Sequence, residues 1–309
     1  MSKELAISVQ TGGWFTPMGE EANADNAFKF IRECGFEAID YNIDTHLTWG
    51  MIDKSDKGDF YTKSLEELLE YYAPAKEAMQ KYGVAGAQAH APFPLFRRRD
   101  AEYSEFLMET MEKCVAICDF LGIPAIVAHP CTYLDKDQER EVNLNMYRRM
   151  MRFAGKYNVK ICLENLFANR AGHILNGACA TAAEAVWYID KLNAEAGFDC
   201  FGFCFDLGHA NICNMHIRDF LRTLGNRLTV LHLHDNDSII DQHLAPMTQP
   251  KTDWEGLILG LRDINYRGPI NFETFNALVN YPAELRPVML KYIAGVGEYI
   301  RNKILEEAK

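Results

Sequence analysis

The chain has 309 residues, 48% of them hydrophobic, and a formal net charge of −11. That length and apolar content suit one large α/β domain, while no apolar run approaches the roughly 18–20 residues of a membrane span and the start, MSKELAISVQ, lacks the features of a secretory signal. The acidic balance turns the reading away from nucleic acid, whose binding draws on Lys and Arg against phosphates.

In chain order, short β-branched or aromatic runs alternate with stretches whose apolar residues recur at helical spacing. The first strand is expected at Ala6–Gln10, followed by a helix over Asn23–Cys34 with Ala27, Phe30, Ile31 and Cys34 on one face and Gly35 just past its end. A strand at Ala38–Tyr41 leads to a helix over Ser64–Lys81, expected to kink near Pro74. Then come strand Val84–His90 with helix Ala101–Leu121, strand Ala125–His129 with helix Gln138–Lys156, and strand Lys160–Glu164 with helix Thr181–Ala196. The last three pairs are Phe201–Asp206 with Ile217–Leu224, Thr229–His234 with Trp254–Ile264, and Pro269–Glu273 with Pro282–Ile304. Strands that alternate with helices pair in parallel with the crossovers outside. Eight such units close a (β/α)8 barrel, and no linker divides residues 1–309, so a single TIM-barrel domain is expected.

In such a barrel chemistry sits at the C-terminal strand ends. Here six consecutive strands deliver polar residues to that rim: His90 (AQAHAPF), His129 (IVAHP), Glu164 (ICLENL), Asp206 and His209 (CFDLGHAN), His232 (VLHLHDND) and Glu273 (INFETF). Singly, each suits a satisfied structural histidine or a helix-capping acid. Together they crowd carboxylates at a barrel mouth, at a cost of several kcal/mol each unless a cation compensates. Glu, Asp and His are natural ligands of a divalent metal. His232 and His234 are two apart on a strand and both point inward, so one suits the metal and the other a substrate or a supporting role.

Several features stay open at this stage. Trp14 and Phe15 follow the first strand and offer an apolar wall for a ligand, as do Trp49 and Phe93, although core or interface packing explains each as well. Arg97, Arg98 and Arg99 in PFPLFRRRD suit a phosphate or carboxylate on a substrate, or equally a solvated loop. His173 and Cys179 in RAGHILNGACAT suit a lid. The nine cysteines include Cys34, Cys114, Cys118, Cys162, Cys200 and Cys204 in apolar stretches, with no CxxC pair. Buried free thiols in a reducing compartment follow, and the cytoplasm is the expected location.

The ordered set LEN, FDLGHAN, HLHDND and NFET, together with GFEAIDYN and YRGPINFETF, resembles the xylose isomerase-like barrel superfamily over essentially the whole chain. That superfamily holds sugar-phosphate isomerases, ketose 3-epimerases, inosose-processing enzymes and endonuclease IV. By resemblance to the epimerase branch, one metal (manganese, cobalt, magnesium or zinc) would be held by Glu164, Asp206, His232 and Glu273. His232 is preferred to His234 because Asp235 follows it by three residues, although His234 and Asp237 share that spacing.

The resemblance further implies that Glu164 and Glu273 act as the acid–base pair of a sugar isomerase or epimerase. One carboxylate would remove a proton beside a carbonyl, and the metal would stabilise the enediolate. A lyase acting on a keto-sugar or inosose would use the same base and metal. Endonuclease IV carries three zinc ions, and its additional ligands match His90, His129, His209, Asp241 and His243. ANICNM after His209 and SIIDQHLAPMTQPKTDW around Asp241 depart from its DNA-contacting surrounds, so nucleic acid is not the expected partner. A small carbohydrate is, with Trp14 and Arg97 as candidate contacts. A homo-oligomer is expected from the family's dimers and tetramers.

Overall fold

The computed structural model describes residues 4–12 and 23–306. In chain order the elements are β1 (Ile7–Gln10), α1 (Ala24–Glu33), β2 (Ala38–Asn42), α2 (Trp49–Asp53), α3 (Leu65–Tyr82), β3 (Ala85–His90), α4 (Ala101–Leu121), β4 (Ala125–Val127) and α5 (Lys136–Ala154). They continue as β5 (Lys160–Glu164), β6 (Phe167–Arg170), β7 (His173–Asn176), α6 (Ala182–Ala196), β8 (Phe201–Asp206), α7 (Leu207–Ile212), α8 (Ile217–Leu224), β9 (Leu228–His232), α9 (Trp254–Asp263), β10 (Ile270–Phe272), α10 (Asn276–Val279) and α11 (Arg286–Leu305). Eight strands pair in parallel in the order β10-β1-β2-β3-β4-β5-β8-β9. Closure comes from Leu233, which bridges Phe272, donates to Asn271 O at 3.0 Å and accepts from Glu273 N at 3.0 Å. The result is a TIM barrel.

Alternation along the strands builds both faces of the wall. Ile161 and Leu163, Phe201, Phe203 and Phe205, and Ile270 and Phe272 face the surrounding helices in one large apolar core. Their neighbours face inward: Cys162, Cys204, Val127, Ala125 and Val230 form one small interior cluster, and Ala6, Ala38 and Ala87 another. Above them lie Ser8, Asp40, Gln88 and Asn271, then the polar rim. Two register shifts set the phase. Asp40 pairs with Gln88 although Ile39 pairs with Gly86, so Ala87 is the extra residue; likewise Thr229 is extra between Leu228 and Val230. These bulges let Gln88 and His90, and Val230 and His232, share the interior with residues below them.

The helices end where their chemistry dictates. Ser64 and Glu67 form a capping box on α3, and Gly83 closes that helix in the left-handed region, φ 63°. α3 runs unbroken through Pro74, so the expected kink is not a helix boundary. Strand ends differ from expectation by one or two residues: His129, His234 and Glu273 stand just beyond β4, β9 and β10. The segment around RAGHILN is an antiparallel hairpin, β6–β7, with Arg170 opposite His173. No helix among the described residues is long and apolar enough to cross a membrane.

Candidate metal centre

Glu164, Asp206, His232 and Glu273 continue the inward-facing sets of β5, β8, β9 and β10, so strand alternation alone carries them to one place. His232 is fully buried, and its Nδ1 lies 3.3 Å from Glu164 Oε2, 3.4 Å from Glu273 Oε2 and 4.0 Å from Asp206 Oδ2. Its other nitrogen, Nε2, faces Asp40 Oδ2 at 3.2 Å. A carboxylate accepts, so Nε2 carries the proton and Nδ1 is aimed at the acids. Asp40 is itself held by Gln88 Nε2 and Asn271 Nδ2, each donating at 3.0 Å. This is the carboxylate–histidine pairing that orients metal-ligating imidazoles.

Six more side chains of the cluster surround this group. His129 Nε2 lies 2.9 Å from Glu164 Oε2 and 3.1 Å from His90 Nε2. His209 Nδ1 lies 3.1 Å from Glu164 Oε1, and its Nε2 is 3.3 Å from Asp241 Oδ2. Asp241 Oδ2 also lies 2.8 Å from His243 Nε2, and its Oδ1 lies 3.7 Å from His234 Nε2. His234 Nε2 is 3.2 Å from Asp206 Oδ2, so His234 stands between the two groups. Six of the nine histidines thus meet four carboxylates at one end of the barrel.

Backbone carbonyls settle which nitrogen each ring turns inward. Nδ1 of His90, His209 and His243 donates to the carbonyls of Ala91, Asn165 and Glu273 at 3.0, 2.9 and 3.0 Å. Each therefore turns Nε2 to the cluster, while His209 Nδ1 also lies 3.1 Å from Glu164 Oε1. Asp206 is fixed by His209 N, which donates to Oδ1 at 2.6 Å, and by exchange between its backbone and Asn165 at 2.8 Å each way.

Buried charge on this scale shifts the groups strongly. Burial raises Glu273, and the nearby Glu164 and Asp206 carboxylates help to carry it up to about 8 against the pull of His232. Burial would raise Glu164 too, but His129 and His232 outweigh it and hold Glu164 well below the usual glutamate value. Asp206 is likewise lowered because His209 and His234 prevail over burial. Burial would depress His209 and His232, yet Asp206 and Asp241 raise His209, and Cys204, Glu273 and Glu164 raise His232, both well above the ordinary histidine value. His90, buried next to His129 and His232, falls to about 3.

The donors fit a divalent cation. Glu164 Oε2, His232 Nδ1 and Asp241 Oδ1 are buried without a hydrogen-bond partner and are directed into the cluster. Donor atoms of Glu164, Asp206 and His209, of Asp206, His234 and Glu273, of His90, His129 and Glu164, and of His234, Asp241 and His243 each lie within 4.8 Å of one another. Ligands at roughly 2.0–2.2 Å from a shared ion adopt separations of this order.

The cluster floors a cleft of about 880 Å³ lined by Trp49, Phe93, Phe96, Tyr133, Phe167 and Arg170, with His129, His209 and Asp241 at its base. Phe93 packs on the His129 ring and Phe167 on His209, with centroids 4.6 and 5.3 Å apart. Trp49 is 62% exposed over the opening. Arg97 is placed elsewhere: its guanidinium bonds Asp53 Oδ1 at 3.1 Å and Asp53 O at 2.8 Å beside an adjoining cleft with Arg98 and Arg99. Trp14 and Phe15 lie outside the described residues. His173 stands exposed on β7, and Cys179 is buried. Sequence reasoning missed Asp40, Gln88, Asn165 and Asn271. The polar positions inside AIDYN and AGAQAH were the available signal.

A TIM barrel with a histidine–carboxylate centre at its C-terminal mouth defines the class. The chain belongs to the xylose isomerase-like TIM barrel family, whose model matches residues 28–292. It is 23% identical over 279 residues to an uncharacterised protein, y4fM, of Sinorhizobium fredii, covering 84% of this chain and 85% of that one. It is also 30% identical over 142 residues to a D-psicose 3-epimerase of Enterocloster bolteae, a match spanning 46% of this chain and 42% of that enzyme. Among solved structures, the zinc-bound IolI protein superposes with a TM-score of 0.65 at 16% identity, over 97% of this chain and 98% of that one.

Proposed function

We propose that this protein is a divalent-metal-dependent sugar epimerase or isomerase that moves a proton on the carbon beside a carbonyl. The observation that carries the reading is the convergence of Glu164, Asp206 and Glu273 on His232 Nδ1, with unpartnered buried donors beneath an aromatic-walled cleft. Kinship with a D-psicose 3-epimerase over part of the chain supports the substrate class.

Glu164, Asp206, His232 and Glu273 would hold the ion, which when bound supplies Lewis-acid polarisation of the substrate's carbonyl and hydroxyl oxygens. Glu164, kept ionised by His129 and His232, is placed to take the proton. Glu273, on the other side of His232, is placed to return one once it has itself been protonated. The two carboxylates rise from strands separated by β8 and β9, so they address a bound sugar from different sides. Asp40 fixes the His232 ring, and Phe93 and Phe167 shield the base of the cleft from water.

The outer group of His209, His234, Asp241 and His243 supports a second ion as a finer reading. A phosphodiesterase of the endonuclease IV kind finds less support, since Arg170 is the only Arg or Lys among the described residues lining the cleft.

Two measurements test the reading. Protein purified without chelators is assayed for metal per chain by elemental mass spectrometry, then incubated with keto-sugars in D2O. Bound metal, together with deuterium at the carbon beside the carbonyl and a new epimer or aldose, is the expected result. A protein that takes up no metal on titration defeats the proposal. Loss of water or of an aglycone instead of epimer would identify the lyase chemistry of the same site.

A further inference from the structure

The hairpin β6–β7 is an addition to the barrel wall, and it is anchored firmly over the cleft. Leu166 N bonds Ala178 O at 3.0 Å and Gly177 N bonds Leu166 O at 2.9 Å, closing its base. Lys136 Nζ donates to Gly177 O at 2.9 Å, and Glu184 accepts from Cys179 N at 3.0 Å, which ties the same base to α5 and α6. Phe167 presses on His209, so the hairpin is registered against the polar centre. What it presents at its outer end is Asn169 and Arg170, both lining the cleft.

Arg170 is the one arginine or lysine among the described residues that lines this cleft. Ten arginines elsewhere pair with an acid, and Arg32, Arg98, Arg262 and Arg286 bond neutral oxygens. Among the described residues the exposed side chain of Arg170 has neither an ion pair nor a hydrogen bond, and the cleft outside the polar centre contains no carboxylate to supply one. The cleft runs from His129, His209 and Asp241 to Asn169 and Arg170, so a sugar whose reacting end sits on the centre has the hairpin on the wall beside its far end. A guanidinium offers paired donors matched to a carboxylate or phosphate.

We propose that Arg170 is a specificity-determining residue that reads an anionic group, a phosphate or a carboxylate, on the end of the sugar remote from the reacting carbon. This rests on the sugar-epimerase reading and narrows its substrate to anionic ketoses. The role that PFPLFRRRD suggested for Arg97 falls to the hairpin, because Asp53 already occupies both arms of Arg97.

Calorimetric titration of the metal-loaded protein with D-fructose, D-fructose 6-phosphate and D-fructuronate tests this, with Arg170→Gln and Arg170→Lys beside the wild type. One charge-assisted contact predicts that the wild type binds an anionic ketose roughly ten- to a hundredfold more tightly than D-fructose. Arg170→Gln should erase that preference by weakening the anionic ketose far more than D-fructose, and Arg170→Lys should retain part of it. A preference for the phosphate over the uronate, or the reverse, identifies the group. Equal affinity for neutral and charged sugars, or a preference that survives in Arg170→Gln, overturns the proposal and leaves the epimerase reading standing. Binding of no ketose at all overturns both.

Discussion

At the scale of single residues, His232 shows how a candidate ligand is made from a strand position. β9 turns its ring inward, Asp40 holds Nε2, and three carboxylates lie within 4.0 Å of Nδ1. Asp40 touches no substrate in this account, so Asp40→Asn should act through metal affinity. Loss of roughly ten- to a hundredfold in affinity is expected by metal titration, with kcat recovering at saturating metal; unchanged affinity would mean that Asp40 does not orient the ring for the metal. Glu164→Gln and Glu273→Gln should each lower kcat by roughly 10²–10⁴-fold, the range for a positioned acid or base. Wild-type rates in either variant, measured by deuterium exchange, would remove that carboxylate from the proton path. Glu164, Asp206 and Glu273 were readable as strand-end acids in apolar runs. Asp40 was not singled out, because one acid inside AIDYN looks the same whether it braces a histidine or merely ends a strand.

At the scale of elements, local pattern located all eight barrel strands but missed how two of them bend. The extra residues Ala87 and Thr229 depend on pairing with a neighbouring strand, and no single-strand pattern contains that information. α7 is similar: LGHANI is too short to show helical periodicity, yet Asp206 caps it and so fixes His209 three residues on. Gly208 in this helix lies against His234, and a Cβ built there overlaps the imidazole. Gly208→Ala should therefore cost about 1–3 kcal/mol by overpacking and push His234 from the Asp206–Asp241 gap. Thermal unfolding together with metal stoichiometry checks this. If a second ion is held there, its loss should accompany the drop in stability; a variant of wild-type stability would show that the ring moves freely.

At the scale of the whole molecule, the polar centre couples folding to pH and, on the proposed reading, to metal. Glu273 is carried up to about 8 and His209 and His232 are raised, so the folded metal-free protein holds protons that the unfolded chain releases. Their contribution is present below the unfolded values and is lost as pH rises through the folded ones. Glu164 and Asp206, lowered, contribute above the usual carboxylate range and lose that contribution in acid. Chelator-stripped protein should accordingly lose stability more steeply between about pH 6 and 9 than metal-loaded protein, where the ligands are deprotonated already. Metal at a thousandfold excess over Kd should add about 4 kcal/mol, read as a rise in Tm. Parallel pH profiles with and without metal would show that the centre does not bind through these groups.

The sequence by itself determined the barrel and most of its centre, because both follow from period. Apolar alternation defines each strand, and the eightfold succession of strand and helix admits essentially one closed parallel wall, whose C-terminal rim collects whatever polar residue ends each strand. Only the tertiary structure decided which groups meet. That Nδ1 of His232 faces the acids while Nε2 of its neighbours does, that His234 stands between Asp206 and Asp241, that Arg97 is spent on Asp53 and Arg170 is not, are all outcomes of side chains converging from distant segments. Their distances depend on bulges, caps and a hairpin whose partners lie tens to hundreds of residues away, where no local periodicity reaches.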